Sequence, residues 1–223
     1  MQDSEKKLVV AIDGPAGAGK STVAQLAAKE LGYTYIDTGA MYRACAWKAL
    51  QTGQEVTDEL IVSLMPDIDV NLSYAEGKTK VTVDGTDVTG EIRTPEINAI
   101  VSQVARLGPV REKMVDLQRK MADRGGVLMD GRDIATNVLP GADVKIFLTA
   151  SIEERAKRRY LEMKEKGYDV TLEQLKKDIA ARDKADSERE ISPLVQAEDA
   201  ELLDTTGLSI EEVVHRILEM CRC

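Results

Sequence analysis

Histidine occurs once in this sequence, at His215 in an amphipathic C-terminal stretch. One imidazole in that setting supports neither a histidine-based zinc centre nor a Ser–His–Asp relay, so His215 reads as an ordinary helix residue. Cysteine is also scarce: Cys45, Cys221 and Cys223 make an odd number and form no CxxC pair. That argues against a disulfide framework and fits a reducing compartment. No apolar run approaches the ~20 residues that span a bilayer, and the charged opening MQDSEKK runs straight into an apolar strand. Neither a leader nor a membrane anchor is expected, and the expected location is cytoplasmic. A basic excess is missing as well. The formal net charge of −9 argues against binding along a nucleic-acid backbone but leaves room for a small anion in a local basic pocket. There is no internal repeat, low-complexity tract or long linker. With 43% hydrophobic residues, the chain has enough apolar material for one α/β unit with insertions.

What is present begins with Gly14–Ser21, GPAGAGKS, which follows the apolar run Leu8, Val9, Val10, Ala11, Ile12 and opens a helical pattern from Thr22 to Leu31. This is the phosphate-binding pattern GxxxxGK[ST] in the strand, loop and helix context that it requires. Gly14, Gly17 and Gly19 let the backbone curl its N–H groups around an anion, and the helix behind them adds its positive end. Pro15, Ala16 and Ala18 complete the cradle and Thr22 extends it. Lys20 is placed to reach β- and γ-phosphates as a point charge, and the Ser21 hydroxyl to ligate an accompanying Mg²⁺.

The rest of the chain reads as alternating strands and helices, hence a three-layer α/β fold around a mainly parallel sheet. Tyr33–Asp37 is a second strand, leading into a helix with Thr38 as its N-cap and Arg43 in its first turn, where a cation opposes the helix dipole and calls for an anionic partner. Between residues 68 and 89 the apolar positions alternate with polar ones, the mark of a small antiparallel insertion with turns at Glu76–Gly77 and Asp84–Gly85. Thr94, Pro95 and Glu96 start the next helix. Gly108 and Pro109 break it, and another runs to Asp123. Across this pair Ser102, Gln103 and Arg111 either contact a ligand or belong to a solvated face. A buried strand then ends at Asp130, where an acid beside the phosphate loop can orient Mg²⁺ or its waters, and Gly131, Arg132 and Asp133 follow.

Ser151 to Glu154 read as a capping box opening a helix with Arg155, Arg158 and Arg159 near one face. After Gly167, Thr171 caps a second helix that carries Arg182, Asp186 and Arg189 at i, i+4 and i+7. Two arginine-bearing helices form either a lid that closes on phosphates or a hairpin laced with surface ion pairs. A last short strand covers Glu201–Asp204. Ser209 caps a final helix whose stripe of Ile210, Val213, Val214 and Ile217 should pack on the sheet.

In order, DGPAGAGKST, IDTGAMYR, GEIRTPE, SQVARLGPVR, DGRDIAT, VKIFLTASIEERAKRR and RDKADSERE resemble the bacterial type of cytidylate kinase over nearly the whole chain. The resemblance implies a P-loop nucleoside monophosphate kinase: one domain over 1–223, with an NMP-binding insertion at about 64–95 and a helical lid at about 152–190. It implies transfer of the γ-phosphoryl group of ATP, with Mg²⁺, to CMP or dCMP. Position by position, it places CMP contacts on Thr38, Arg43, Ser102, Arg111, Asp133, Arg182, Asp186 and Arg189. Ser102 and its neighbour Gln103 would read the cytosine edge. Arg43 and Arg132 would hold the acceptor phosphate, and Asp186 with Arg182 would address the sugar. Arg155, Arg158 and Arg159 fall where lid cations meet ATP, while Lys20, Arg132, Arg155, Arg159 and Asp130 form the catalytic set. The expected partners are these small nucleotides, with no nucleic acid and no membrane, and the chain is expected to act as a monomer. A kinase for another small acceptor such as UMP or AMP would share the fold. The NKxD run of guanine-reading switches is absent, and the many arginines favour a transferase over a switch.

Overall fold

The computed structural model of the protein describes residues 7–75 and 77–222. Glu76 of the expected ribbon turn and Cys223 lie outside them. The chain opens with β1 (Val9–Asp13), α1 (Lys20–Leu31), β2 (Thr34–Asp37), α2 (Thr38–Gln51) and α3 (Asp58–Leu64). The ribbon follows as β3 (Val70–Ala75), β4 (Lys78–Val83) and β5 (Thr86–Asp87), then α4 (Pro95–Arg106) and α5 (Gly108–Ala122). The last third holds β6 (Val127–Gly131), β7 (Val144–Thr149), α6 (Ile152–Glu165), α7 (Leu172–Glu188), β8 (Glu201–Asp204) and α8 (Ile210–Met220).

Five strands form one parallel sheet in the order β2-β6-β1-β7-β8, and β3-β4-β5 form a separate antiparallel sheet. Side chains alternate across a strand. Val10 and Ile12 of β1 therefore join Leu128, Ile146, Leu148 and Leu203 on one face, covered by Val23, Ala24 and Ala27 of α1 and by Val213 and Ile217 of α8. Ala11, Ile36, Val127 and Met129 face the other way, against Val115 and Ala122 of α5 and Ile134, Ala135 and Val138 of a π-helical turn. Burial on both faces explains why β1 and β6 read as continuous apolar runs rather than alternating ones. A second core joins the antiparallel sheet to the helices before and after it, with Val70, Val81 and Val83 packed among Met41, Cys45, Ile61, Ile97 and Met114. The hairpin of α6 and α7 has a core of only Ala156, Leu175 and Ile179.

Several local expectations change in the folded chain. The N-cap of α2 is Asp37, whose carboxylate accepts from the Ala40 N–H at 2.8 Å. Thr38 is the first helical residue instead, so its hydroxyl is free to donate elsewhere, and Arg43 lies in the second turn. Arg189 sits just past the end of α7 in extended backbone. Ser151 caps α6, but the Glu154 carboxylate accepts from Arg158 rather than completing a capping box. The reciprocal box occurs at Ser209 and Glu212 of α8, where Ile210 is exposed rather than part of the packed stripe. Sequence reading missed α3, although Thr57 caps it and Asp58 and Glu59 fill its first turn, as helix N-termini favour. It also missed the π-helical turn at 134–138.

Candidate active site

The phosphate loop connects β1 to α1 against the end of β7. A Cβ on Gly14 would lie 1.9 Å from the Leu148 carbonyl oxygen, so only glycine lets the loop pass this close to the strand. Gly19 takes φ +89° as the N-cap of α1, a left-handed conformation that glycine adopts without penalty. Lys20 is buried and its ammonium donates to the carbonyls of Gly14 at 2.7 Å and Pro15 at 2.8 Å. Burial, followed by repulsion from Arg132, holds it well below the ordinary lysine range even though Asp130 opposes the shift.

Beside the loop, Asp130 closes β6. Its Oδ2 accepts from the Ser21 hydroxyl at 3.1 Å and its Oδ1 from the Tyr35 hydroxyl at 2.7 Å. Burial raises its pKa, as does the nearby Asp37. Thr38 donates its hydroxyl to the Asp130 carbonyl at 2.7 Å. A Cβ on Gly131 would come within 2.7 Å of that hydroxyl and of Ile134, so the strand end is packed to glycine size. Ser21 and Asp130 offer hard oxygen donors. Among the described residues no group of three His, Cys, Asp or Glu side chains could hold a metal alone. So sparse a set suits Mg²⁺, which keeps waters and takes phosphate oxygens as further ligands.

Beside this pair, cations outnumber the carboxylates that neutralise them. Arg182 has a buried Nε without a partner, and burial followed by repulsion from Arg132 lowers it to about 10, with Arg43 and Arg159 adding to the repulsion and Asp186 opposing it. Arg132 donates to Asp186 at 2.8 Å. Arg43 pairs with Asp37 at 3.0 Å, and Arg93 reaches the same carboxylate at 2.6 Å. Burial works against the charge on Asp37, yet the two arginines outweigh it and hold the carboxyl below its usual range. Cations crowded together in low dielectric raise one another's free energy, and a polyanion placed among them relieves it.

A second polar cluster is equally buried. Arg111 and Asp133 form a buried, closely approached pair. Asp133 also accepts from Arg189 at 3.3 Å and Asn137 at 3.0 Å, and the Arg111 guanidinium lies 5.7 Å from the centre of the Tyr42 ring. Ser102 is half-buried on α4. Its neighbour Gln103 turns away: its amide donates to Asp58 of α3 at 2.8 Å.

The three arginines of α6 separate in role. Arg155 is buried. It donates to both carboxylate oxygens of Asp183 at 3.1 and 2.7 Å, to the Ala16 carbonyl at 2.9 Å and to the Ala150 carbonyl at 2.9 Å. Arg158 donates to the Ala18 carbonyl at 3.2 Å and to the Thr205 carbonyl at 2.9 Å. Arg159 is the most exposed of the three, and its guanidinium pairs with Glu162 on its own helix at 3.0 Å. The carbonyls of Gly14, Pro15, Ala16 and Ala18 thus all accept from cationic side chains, and an anion would meet the loop through its N–H groups.

The family model for cytidylate kinase matches residues 10–223. The chain belongs to the cytidylate kinase family. It is 57% identical over 216 residues to a cytidylate kinase of Bacillus subtilis, covering 96% of each chain, and 53% identical over 217 residues to one of Bacillus cereus, covering 97% of this chain and 96% of that one. A crystal structure of an uncharacterized protein from Eubacterium ventriosum superposes with a TM-score of 0.53 at 12% identity, covering 96% of this chain and 97% of the other. At that identity it is a likeness of fold alone.

Within this cytidylate kinase family chain, the fold brings Lys20, Ser21, Thr38, Arg43, Asp130, Arg132, Arg182 and Asp186 into one linked polar group. Arg111, Asp133 and Arg189 are joined in the cluster beside it. Sequence reasoning passed over Asp37, Arg93, Asp183 and Asp13. Asp13 is buried at the end of β1, accepting the N–H groups of Ile134 and Ala135 at 2.8 and 2.7 Å, and burial pushes its carboxyl up to about 6 against those two bonds. An acid at a strand end just before a phosphate loop was the available signal. Nothing local marks Asp183 as the partner of Arg155.

Proposed function

We infer that the protein transfers the γ-phosphoryl group of ATP to CMP or dCMP, giving CDP or dCDP. The observation that carries this reading is the crowding of Arg132, Arg182, Arg43 and Lys20 beside a complete phosphate loop. Family membership, and the name borne by relatives more than half identical over nearly the whole chain, supply the acceptor.

An oxygen of the acceptor phosphate forms the new bond to the γ-phosphorus while the bond to the β–γ bridging oxygen breaks and ADP leaves. The nucleophile is already anionic, so positioning and charge compensation do most of the work. Lys20 and the loop N–H groups hold the donor phosphates. Arg43 and Arg132 hold the acceptor phosphate, Arg182 and Asp186 approach its sugar, and Ser102 with Arg111 and Asp133 reads the base. Ser21 and Asp130 would hold Mg²⁺, which would screen the negative charge of the donor phosphates. Arg159 acts from a lid at about 152–190, Arg155 and Arg158 fasten that hairpin to the carbonyls of the phosphate loop, and the antiparallel insertion at about 64–95 covers the acceptor side. Closure of the small-cored hairpin excludes water and prevents wasteful hydrolysis. We read the whole chain as one cytoplasmic, monomeric domain of pyrimidine nucleotide metabolism. No helix among the described residues is long and apolar enough to cross a membrane.

The test is ADP release from Mg-ATP with CMP, dCMP, UMP, AMP, GMP or no acceptor. Turnover confined to CMP and dCMP is the expected result. Equal rates with other acceptors would overturn the base-reading assignment, and acceptor-independent hydrolysis would overturn the transferase.

A further inference from the structure

Tyr35 stands on the face of β2 that packs under α1 and is 4% exposed. An apolar side chain would fill this place equally well, and a buried phenol needs a hydrogen-bond partner. Here the partner is Asp130. In the parallel register Tyr35 lies opposite Leu128 and Asp37 opposite Asp130, so Tyr35 and Asp130 point to the same face and the phenol reaches along the strands to the carboxylate. The 2.7 Å bond to Oδ1 and the 3.1 Å bond from Ser21 to Oδ2 give each carboxylate oxygen its own donor. Together they fix the rotation of the carboxylate.

The same ring receives the antiparallel sheet. Tyr74 of β3 meets Tyr35 edge-on, with ring centres 6.0 Å apart and planes at 77°. A second tie runs alongside, where the Gln25 amide of α1 donates to the Gly77 carbonyl in the β3–β4 turn at 2.6 Å. The antiparallel sheet thus touches both the residue that bonds Asp130 and the helix that carries Ser21.

We propose that Tyr35 is a positioning residue: its hydroxyl holds the Asp130 carboxylate as Ser21 and a phosphate-bound Mg²⁺ require, and Tyr74 links this support to the antiparallel sheet. This rests on the reading of Asp130 and Ser21 as the metal-facing pair. Groups that orient a metal's ligands typically change its affinity by ~10- to 100-fold when removed. The lower figure applies here, because Ser21 remains.

The experiment is calorimetric titration of ADP at a series of Mg²⁺ concentrations, for the native protein, Tyr35→Phe and Tyr74→Leu, with the KM for CMP measured in parallel. Tyr35→Phe keeps the ring and its packing. It is expected to need about 10-fold more Mg²⁺ for the half-maximal enhancement of ADP binding, with metal-free ADP affinity and the KM for CMP unchanged. Tyr74→Leu should shift the midpoint the same way by about 3-fold, since it loosens the ring without removing the bond. A native midpoint in Tyr35→Phe, or equal loss of ADP affinity with and without Mg²⁺, overturns the positioning role. A native midpoint in Tyr74→Leu overturns the link to the antiparallel sheet. If ADP binding by the native protein ignores Mg²⁺ while CMP-dependent turnover persists, the metal-facing reading of Asp130 and Ser21 is what has failed.

Discussion

Arg155 and Arg182 belong to the same helical hairpin and differ in almost every physical respect. Arg155 is fully engaged, with Asp183 and the Ala16 and Ala150 carbonyls taking its guanidinium N–H groups. Arg182 faces Arg132, Arg43 and Arg159, its buried Nε lacks a partner, and it is lowered to about 10. A cation whose partners are all in the fold holds the fold together. One placed among like charges costs stability and keeps its interaction energy for an anionic ligand.

The contrast can be broken most directly at Arg182. Arg182→Met should lower CMP-dependent kcat/KM by about 10²- to 10³-fold while leaving the ligand-free melting temperature equal to or above the native value. A melting temperature that falls with activity would make Arg182 a structural residue like Arg155. Gly14→Ala probes the loop that Arg155 fastens. Its Cβ would meet the Leu148 carbonyl at 1.9 Å, so unfolding free energy should drop by about 3 kcal/mol or more; a urea midpoint near native would show that the loop can retreat from β7. Arg155→Met should cost about 2–4 kcal/mol by the same titration, because it strands Asp183 and two carbonyls. Unchanged stability would remove Arg155 from the fold's supports.

The smallest effects concern pH, and two carboxylates should show opposite signs. Asp37 is held below 3.8 in the folded protein against the effect of burial, chiefly by Arg43 and Arg93. Its stabilisation is present above the unfolded value and is lost as pH falls through the folded one, so Asp37→Asn should flatten the acid limb of the stability curve. Asp13 is raised from 3.8 to about 6 by burial. The folded state then binds more protons, and Asp13 makes stability fall as pH rises between those values. Asp13→Asn should abolish that slope while costing about 1–3 kcal/mol overall, since its amide NH₂ would face a backbone N–H. Melting temperatures from pH 3 to 7 test both. A slope between pH 4 and 6 that survives in Asp13→Asn would assign it to another group.

Much of the scaffold was legible because it rests on local requirements. The glycine loop after a β-branched run, the period-two ribbon from Val70 to Val83, and the caps at Thr94, Ser151, Thr171 and Ser209 all occur where the residues place them. The π-helical turn at 134–138 was not legible. Its first N–H groups bond to Asp13, about 120 residues earlier, and no local pattern encodes that. Thr38 looked like a cap because it is the usual residue type, but Asp37 beside it competes for the same role and wins with a carboxylate that also binds two arginines. Gln103 follows Ser102 in the run SQVARLGPVR, yet adjacent residues on a helix point about 100° apart, which sends its amide to Asp58.

By itself the sequence determined the phosphate loop, the alternation of strand and helix, and the supply of arginines. Each of these depends on backbone freedom, burial periodicity or composition within a short stretch. Only the tertiary structure decided which arginines are spent on the fold and which are crowded against one another. Arg155 meets Ala16 across 139 residues and Asp183 across 28, and the charge environment of a guanidinium is set by whatever packing brings within a few ångströms, not by its neighbours along the chain.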